Sequence, residues 1–308
     1  MKRYALIGCL IALGGCQSFI DNKAAEATIK LMQRSKDAAK RTPDVEIARE
    51  ALPGGIMQLQ AFALAYPDRR EFRVMHAEAL CQYAGGFVFD DWDAAKLADR
   101  NDDAKRIGVR VKTLSVACIE ANLDLLPKEW RIDREKGGAA WEARIASAAK
   151  DQVQQLLAIT GADAIQVALN PLTGIAKVGP ITAALEKCIA LQPGFHDSSA
   201  EMLLATLQAN RSQFLGGPDG SELFARIRAN LGEGALLVDV LYARGTLVAK
   251  HDRAGYEATL NKVLDADVTK WPDRRLTNEM ARMKAQRYLD AADKIIPAPV
   301  EPTPALQE

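Results

Sequence analysis

Histidines are the first residues to test for chemistry, because a neutral imidazole can act as a base near pH 7 and is a ready metal ligand. His76, His196 and His251 are far apart, and none stands at metal-ligand spacing from a cysteine or a second histidine. They read as partly buried or surface side chains. The run Asp99-Arg100-Asn101-Asp102-Asp103 opens like a calcium loop. Its sixth position is Ala104 where the turn needs glycine, and its twelfth is Arg110 where a bidentate glutamate belongs. It reads instead as a solvated loop capping the helix after it, since aspartate suits an N-cap and the positive helix end. Asp90-Asp91-Trp92-Asp93 could cap a helix in the same way. No Gly-x-Ser-x-Gly elbow, phosphate loop or dinucleotide fingerprint occurs. Nothing here points to an enzyme, a metal ion or a cofactor.

The one thiol in a chemically pointed setting is Cys16. Met1-Lys2-Arg3 is basic, Tyr4 to Leu13 carries no charge, and Leu13-Gly14-Gly15 leads into the cysteine. A basic start, a short apolar core and small residues before a cut site make a secretory signal. The apolar run is much shorter than the roughly 20 residues of a spanning helix. The stretch resembles the lipobox of bacterial lipoproteins, which implies cleavage before Cys16 and lipid on its sulfur. Gln17, where an inner-membrane retention signal usually has aspartate, favours the outer membrane, facing the periplasm. Cys81, Cys118 and Cys188 remain once Cys9 and Cys16 are set aside. An oxidising compartment permits disulfides, but spacing does not say whether Cys81 and Cys118 pair, and small buried thiols on helices are the preferred reading.

Those residues must be positioned by helices. The chain has 40 basic and 40 acidic residues, and loss of Lys2 and Arg3 with the signal leaves a net charge of −2. That balance argues against a nucleic-acid partner, which needs a basic face. Alanine, leucine and charged residues dominate, and no run of alternating β-branched residues predicts a sheet. Helical rhythm predicts elements at Asp21–Arg41 (Ile29, Leu31 and Met32 on one side), Glu46–Ala65 (disturbed at Pro53-Gly54-Gly55), Arg70–Gly85, Asp102–Leu125 and Trp141–Ile159. Further helices are expected at Pro180–Leu191, Ser198–Phe214, Ser221–Leu231, Leu236–Lys250, Arg253–Ala266 and Arg274–Ile296. The tail 297–308, with four prolines, reads as a disordered end.

Four segments align without gaps, starting at Leu59, Ile119, Leu185 and Leu260. Three of them end in proline, at Pro67, Pro127 and Pro193. Apolar residues recur at or near their first and fifth positions. The segments resemble the end of the second helix of a tetratricopeptide repeat, but their spacing exceeds the ~34-residue unit. The expected fold is therefore all-α, with stacked helical hairpins built from cryptic TPR-like repeats, each burying its inner face on its neighbours. Ile159–Pro180 breaks the pattern, with three glycines, two prolines and one lysine. It reads as a buried irregular connection or, alternatively, as the lining of an apolar cavity, with Ile165, Leu169, Leu172 and Ile175 as candidate lining residues.

Several strings, in order, resemble the TatT family, the T components associated with tripartite ATP-independent periplasmic (TRAP) transporters. Leu215-Gly216-Gly217-Pro218-Asp219, followed by Leu223-Phe224, is similar to that family's glycine turn into a helix. Val240–Arg244 resembles its next helix, and Leu276, Asn278, Ala281, Ala285 and Leu289 its closing helix. Ala77 to Trp92 resembles its alanine- and tyrosine-rich helix before an acidic turn. The resemblance runs from about Glu46 to Ile296 and is thinnest over Glu129–Pro180, where only Trp141 answers a tryptophan-rich helix.

The resemblance implies a non-enzymatic lipoprotein of cryptic tetratricopeptide motifs. It implies a homotrimer with an apolar pore in each protomer, docking a periplasmic substrate-binding protein and passing an apolar or organic-acid ligand. A stand-alone carrier of an apolar ligand or lipid, or a helical scaffold unrelated to transport, is the competing reading. The expected division is a signal peptide at 1–15, a lipidated N-terminus and first helix at 16–42, a TPR-like helical domain at 43–296 and the proline-rich tail at 297–308.

Overall fold

The computed structural model describes residues 3–297, with side chains from Asn22 onward except those of Thr173 and Leu215. Cys16 and positions 298–308 of the tail therefore lie outside the described side chains. No strand occurs among the described residues, and the all-α expectation holds. Helices α1 (Arg3–Lys40), α2 (Val45–Ala65), α3 (Arg70–Gln82), α4 (Phe89–Leu97) and α5 (Asn101–Leu123) form the first part. They are followed by α6 (Lys128–Lys136), α7 (Gly138–Ala146), α8 (Val153–Leu169), the single turn α9 (Pro171–Gly174) and α10 (Val178–Leu191). The last part holds α11 (Phe195–Leu215), α12 (Ser221–Leu231), α13 (Leu236–Tyr242), α14 (Arg253–Asp265), α15 (Arg275–Asp290) and the short α16 (Ala292–Ile295). Packing runs mainly along the chain: α2 on α3, α4 on α5, α10 on α11 and α14 on α15, with α8 wedged between α5 and α10. No helix among the described residues is long and apolar enough to cross a membrane.

The four aligned segments fall at the C-terminal ends of α2, α5, α10 and α14, and their first residues, Leu59, Ile119, Leu185 and Leu260, are all buried. Recurrence of one apolar pattern thus marks one structural role, the inner face of a helix about to end. In α1 the inward residues are Ala25 and Ile29, four apart, which pack on Phe72. Leu31 faces solvent instead of sharing that side, because two residues turn a helix by about 200°.

Several expectations about element limits are corrected. Pro53-Gly54-Gly55 does not interrupt α2. Asp44 caps it by accepting from the backbone N–H groups of Glu46 and Ile47, at 2.8 and 3.1 Å, and the buried Ile56 and Leu59 anchor it past the proline. The predicted Trp141–Ile159 helix is two helices. The chain is extended at Ala149, whose N–H donates to the Gln152 side chain at 3.0 Å, and α8 starts only at Val153. Ile159–Pro180 is not an irregular connection: α8 continues through Gly161 to Leu169. It stops where Asn170 is driven to φ −145°, ψ 80° before Pro171, the residue before proline being disfavoured in helix.

Two further corrections concern helix ends and kinks. Arg70–Gly85 is not a single helix, since winding widens to a π-helical stretch at Tyr83–Val88 before α4. The same widening occurs at Ala243–Leu247 between α13 and the next turn. Asp90 and Asp91 lie inside α4 rather than capping it from outside.

The two widened stretches begin at or just after a tyrosine, in the related strings Tyr83-Ala84-Gly85-Gly86 and Tyr242-Ala243-Arg244-Gly245. Each leads through a left-handed residue, Asp99 (φ 55°) or His251 (φ 53°), into the partner helix α5 or α14. From Tyr83 to Ile119 the chain is twice as long as from Tyr242 to Leu260. The extra residues lengthen both arms of the α4–α5 hairpin, and its tip packs against the end of the chain, where Lys294 donates to the Lys96 and Leu97 carbonyls at 3.2 and 3.1 Å.

The cysteine reading is also corrected. Cys81 and Cys118 form a disulfide between α3 and α5, with Cα atoms 5.1 Å apart. Only Cys188 is a buried free thiol among the described residues. Helical rhythm sets which residues lie inside but not which helices become neighbours, and α3 and α5 pack directly.

Candidate functional site

Helices α4 and α5 and the end of α8 enclose a cleft of about 440 Å³. Its walls are Trp92 from α4, Ala104, Lys105, Gly108, Val109 and Lys112 from α5, and Gln166, Val167, Leu169 and Asn170 from the last turn of α8 and its end. Gly174 and Lys177 close it from the turn beyond. Lys105, Gly108 and Lys112 share one face of α5 because they are three and seven residues apart. They lie outside the apolar stripe that buries Val111 and Cys118. Gly174 is a required close approach: a Cβ there would sit 2.8 Å from the Val167 Cα, so only glycine lets the α9 turn fold against α8. Lys177 donates to Gln166 Oε1 at 3.0 Å and lies 3.5 Å from Asp163, which is also held by both terminal nitrogens of Arg134 at 2.8 and 2.9 Å.

Of the four residues expected to line a cavity, Leu169 lines this cleft. Ile165 points inward on α8 and packs in the cluster around Tyr83 and Val111. Leu172 and Ile175 are 91% and 70% exposed. Both are large and apolar, but the α9 turn and the turn after it lie at the surface and leave them outside. Trp92, Lys105, Gly108 and Lys112 were missed. The signal for the lysines was their spacing on the polar side of a strongly periodic helix.

The histidines do not join the site. Burial pushes the pKa of His76 down, and burial does the same to His196 against the opposing pull of Glu78 and Asp197. No group of three potential metal ligands occurs among the described residues. The run at Asp99–Asp103 is the end of a turn and the first residues of α5, where Asp103 pairs with Arg100 and Arg106, at 2.9 and 3.1 Å. The cap position there is Arg100, which makes no side-chain capping bond.

The structure is an all-α stack of helices with an open cleft that no aspartate or glutamate lines. The family model of the TRAP transporter T-component matches residues 41–296, and the chain belongs to that family. The strings that carried the resemblance have clear roles in the fold. Gly216, Gly217 and Gly220 hold left-handed φ values of 69°, 96° and 79°, and a Cβ on Gly220 would meet the Ala205 carbonyl oxygen at 2.4 Å. Asn278, Ala281 and Ala285 are the buried face of α15. No curated protein matches the chain significantly.

Proposed function

We propose that this TRAP transporter-associated component is a non-enzymatic, lipid-anchored receptor on the periplasmic side, which docks a substrate-binding protein at the α5–α9 cleft and exchanges ligand with it. The observation that carries this reading is the cleft's surroundings. Val109 on α5, Leu172 on α9 and Ile175 just after it are 66%, 91% and 70% exposed, aliphatic side chains left uncovered on the segments around the cleft and suited to a protein partner. The position of the cleft agrees. The Asn22 end of the described side chains accepts from Arg69 at 3.1 Å, and the neighbouring Arg70 donates to the Leu125 carbonyl just past the end of α5 at 3.3 Å. The cleft lies toward the other end of α5, roughly 20 Å along the helix. A lipid on Cys16 would tether the chain at the first end and leave the cleft facing the aqueous side. Tethering also raises the local concentration of any partner working at the membrane.

Two outcomes follow. Cys16→Ala is expected to move the protein from the membrane fraction to the soluble periplasmic fraction, read by fractionation and immunoblot. Undiminished retention would remove the lipid anchor from the model of function. For docking, a substrate-binding protein encoded beside a TRAP permease is immobilised, and the chain is titrated over it. Leu172→Lys/Ile175→Lys should weaken capture at least tenfold while the far-ultraviolet circular dichroism is unchanged, since both side chains are exposed. Equal capture by the variant would place docking elsewhere.

A further inference from the structure

We propose that the outward face of α2 is a membrane-seating surface, on which the tethered chain lies with Met57, Ala61 and Leu64 in the boundary between lipid headgroups and acyl chains. This rests on the lipid anchor proposed above at Cys16, but not on any docking partner or ligand. The first observation is the pattern of α2. Its inward side holds Val45, Ile56 and Leu59, all buried, with the half-buried Leu52, Phe62 and Ala63 beside them. Its outward side repeats Gly54, Met57, Ala61 and Leu64, each three or four residues after the last, which is one stripe along a helix. Met57 and Leu64 are 67% and 78% exposed. From Ala51 to Pro67 the chain carries no charged residue, and no longer run of that kind occurs after Ile20. A helix that is apolar all round is normally covered all round. Among the described residues, α3, α15 and the Tyr83–Val88 stretch cover α2 from one side and leave the stripe open.

The second observation is where α2 ends. It folds back along α1, so that Ala25 shares a cluster with Phe62, Ala63 and Tyr66. Arg69, just past α2, donates to Asn22 at 3.1 Å and lies 3.9 Å from Glu26. Cys16 precedes Asn22 by six residues, a reach of about 20 Å at full extension. A lipid on Cys16 therefore keeps Asn22 within that distance of the bilayer, with the end of α2 beside it. Helices α3 and α5 stand between α2 and α8. A chain lying on α2 thus turns its α8 side, which carries the cleft, to water. The residues after α2, Asp68, Arg69, Arg70, Glu71 and Arg73, mix both signs, and Glu46 and Glu50 stand at its other end. Contact is then with the apolar boundary and not with anionic headgroups. A second copy fits less well, because helices paired in water are matched by charged residues flanking the seam. Here the flanks are Ala51, Gln58, Gln60 and Ala65.

The test uses the lipidated chain, floated with vesicles of phosphatidylethanolamine and phosphatidylglycerol and carrying one introduced cysteine for an environment-sensitive fluorophore. With Cys81 and Cys118 in a disulfide and Cys188 buried, the new thiol takes the label. Met57→Cys and Leu64→Cys should give a blue-shifted emission that bilayer-resident quenchers remove, whereas Leu172→Cys should report water. The shift should survive added salt and replacement of phosphatidylglycerol by phosphatidylcholine. In a Met57→Asp/Leu64→Asp background an Ala61→Cys probe should return to water while the chain still floats. Thermal melts should match the parent, because both substituted side chains are exposed. Aqueous emission from the α2 probes on floated protein overturns the inference and leaves the anchor standing. So does a shift that needs the anionic lipid, or an Ala61→Cys probe indifferent to the two aspartates. A shift that grows with protein concentration in the absence of vesicles overturns it in favour of a second copy. A chain that does not float loses the anchor and this surface together, so the two failures are distinguishable.

Discussion

Asp90→Ala is expected to cost about 3–5 kcal/mol, the usual penalty for removing one partner of a buried ion pair. Asp90 is 7% exposed on α4 and accepts from Lys284 and Arg287 on α15, with one Arg287 nitrogen 3.2 Å from Oδ2. Beside it the Tyr288 hydroxyl donates to Asp93 at 2.9 Å, and the Tyr256 hydroxyl donates to the Tyr288 carbonyl at 2.8 Å. Removing the carboxylate strands Lys284 and leaves Arg287 only Asp93, 3.6 Å away, and the Nε of Arg287 already lacks a partner. Asp90→Asn keeps the shape and should retain only part of the stability.

The pH dependence has a definite sign. Burial pushes the Asp90 pKa up, but Lys284 and Arg287 outweigh it and hold the carboxyl below its ordinary 3.8. The contribution is therefore complete above that value and is lost as pH falls through the lower folded one. Urea titrations of wild type and Asp90→Asn should show a constant gap from neutral pH to about pH 5, closing only below about pH 4. An Asn variant as stable as wild type at pH 7 would show that the pair contributes nothing net.

The second large effect concerns the disulfide. Cys81 and Cys118 are 37 residues apart, and closing a loop of that length removes about 4 kcal/mol of unfolded-state entropy in the chain model. Cys81→Ala/Cys118→Ala should lose about 2–4 kcal/mol, seen as a fall in Tm of roughly 5–10 °C. Dithiothreitol should produce a similar fall in the wild-type protein and none in the double variant. Cys188 should not confuse the measurement. Burial, with a contribution from Glu201, pushes its thiol up to about 12, so it stays protonated and slow toward alkylating reagents in the folded chain. A Tm insensitive to reductant would mean that helix packing alone sets the α3–α5 contact.

Much of the helical framework was present in the sequence, because the information that makes a helix is local. The apolar period of α5, the proline ends after α2, α5 and α10, and the glycines before α12 each act within a turn or two of the residues concerned, so helices could be placed without knowing their neighbours. The recurring apolar pattern of Leu59, Ile119, Leu185 and Leu260 likewise carried the stacked-hairpin architecture. Its strings also pointed to the TRAP transporter T-component family. Local rules failed where a segment's conformation depends on what it packs against: Pro53 stays inside α2, and the glycines of Ile159–Pro180 stay inside or beside helices.

The rest was decided only when distant residues met. Asp90 looked like a cap because its partners, Lys284 and Arg287, lie nearly 200 residues away in the chain. Cys81 and Cys118 became a pair only because α3 lies on α5. The cleft took Leu169 but turned Leu172 and Ile175 outward, since the handedness of one short turn after Pro171, not apolarity, determines which way those side chains face. The spacing of Lys105 and Lys112 put them on the polar side of α5, but nothing in the sequence showed what they would face. A lysine's chemistry depends on whether a carboxylate stands within reach, and that distance exists only once α4, α5 and α8 have packed together.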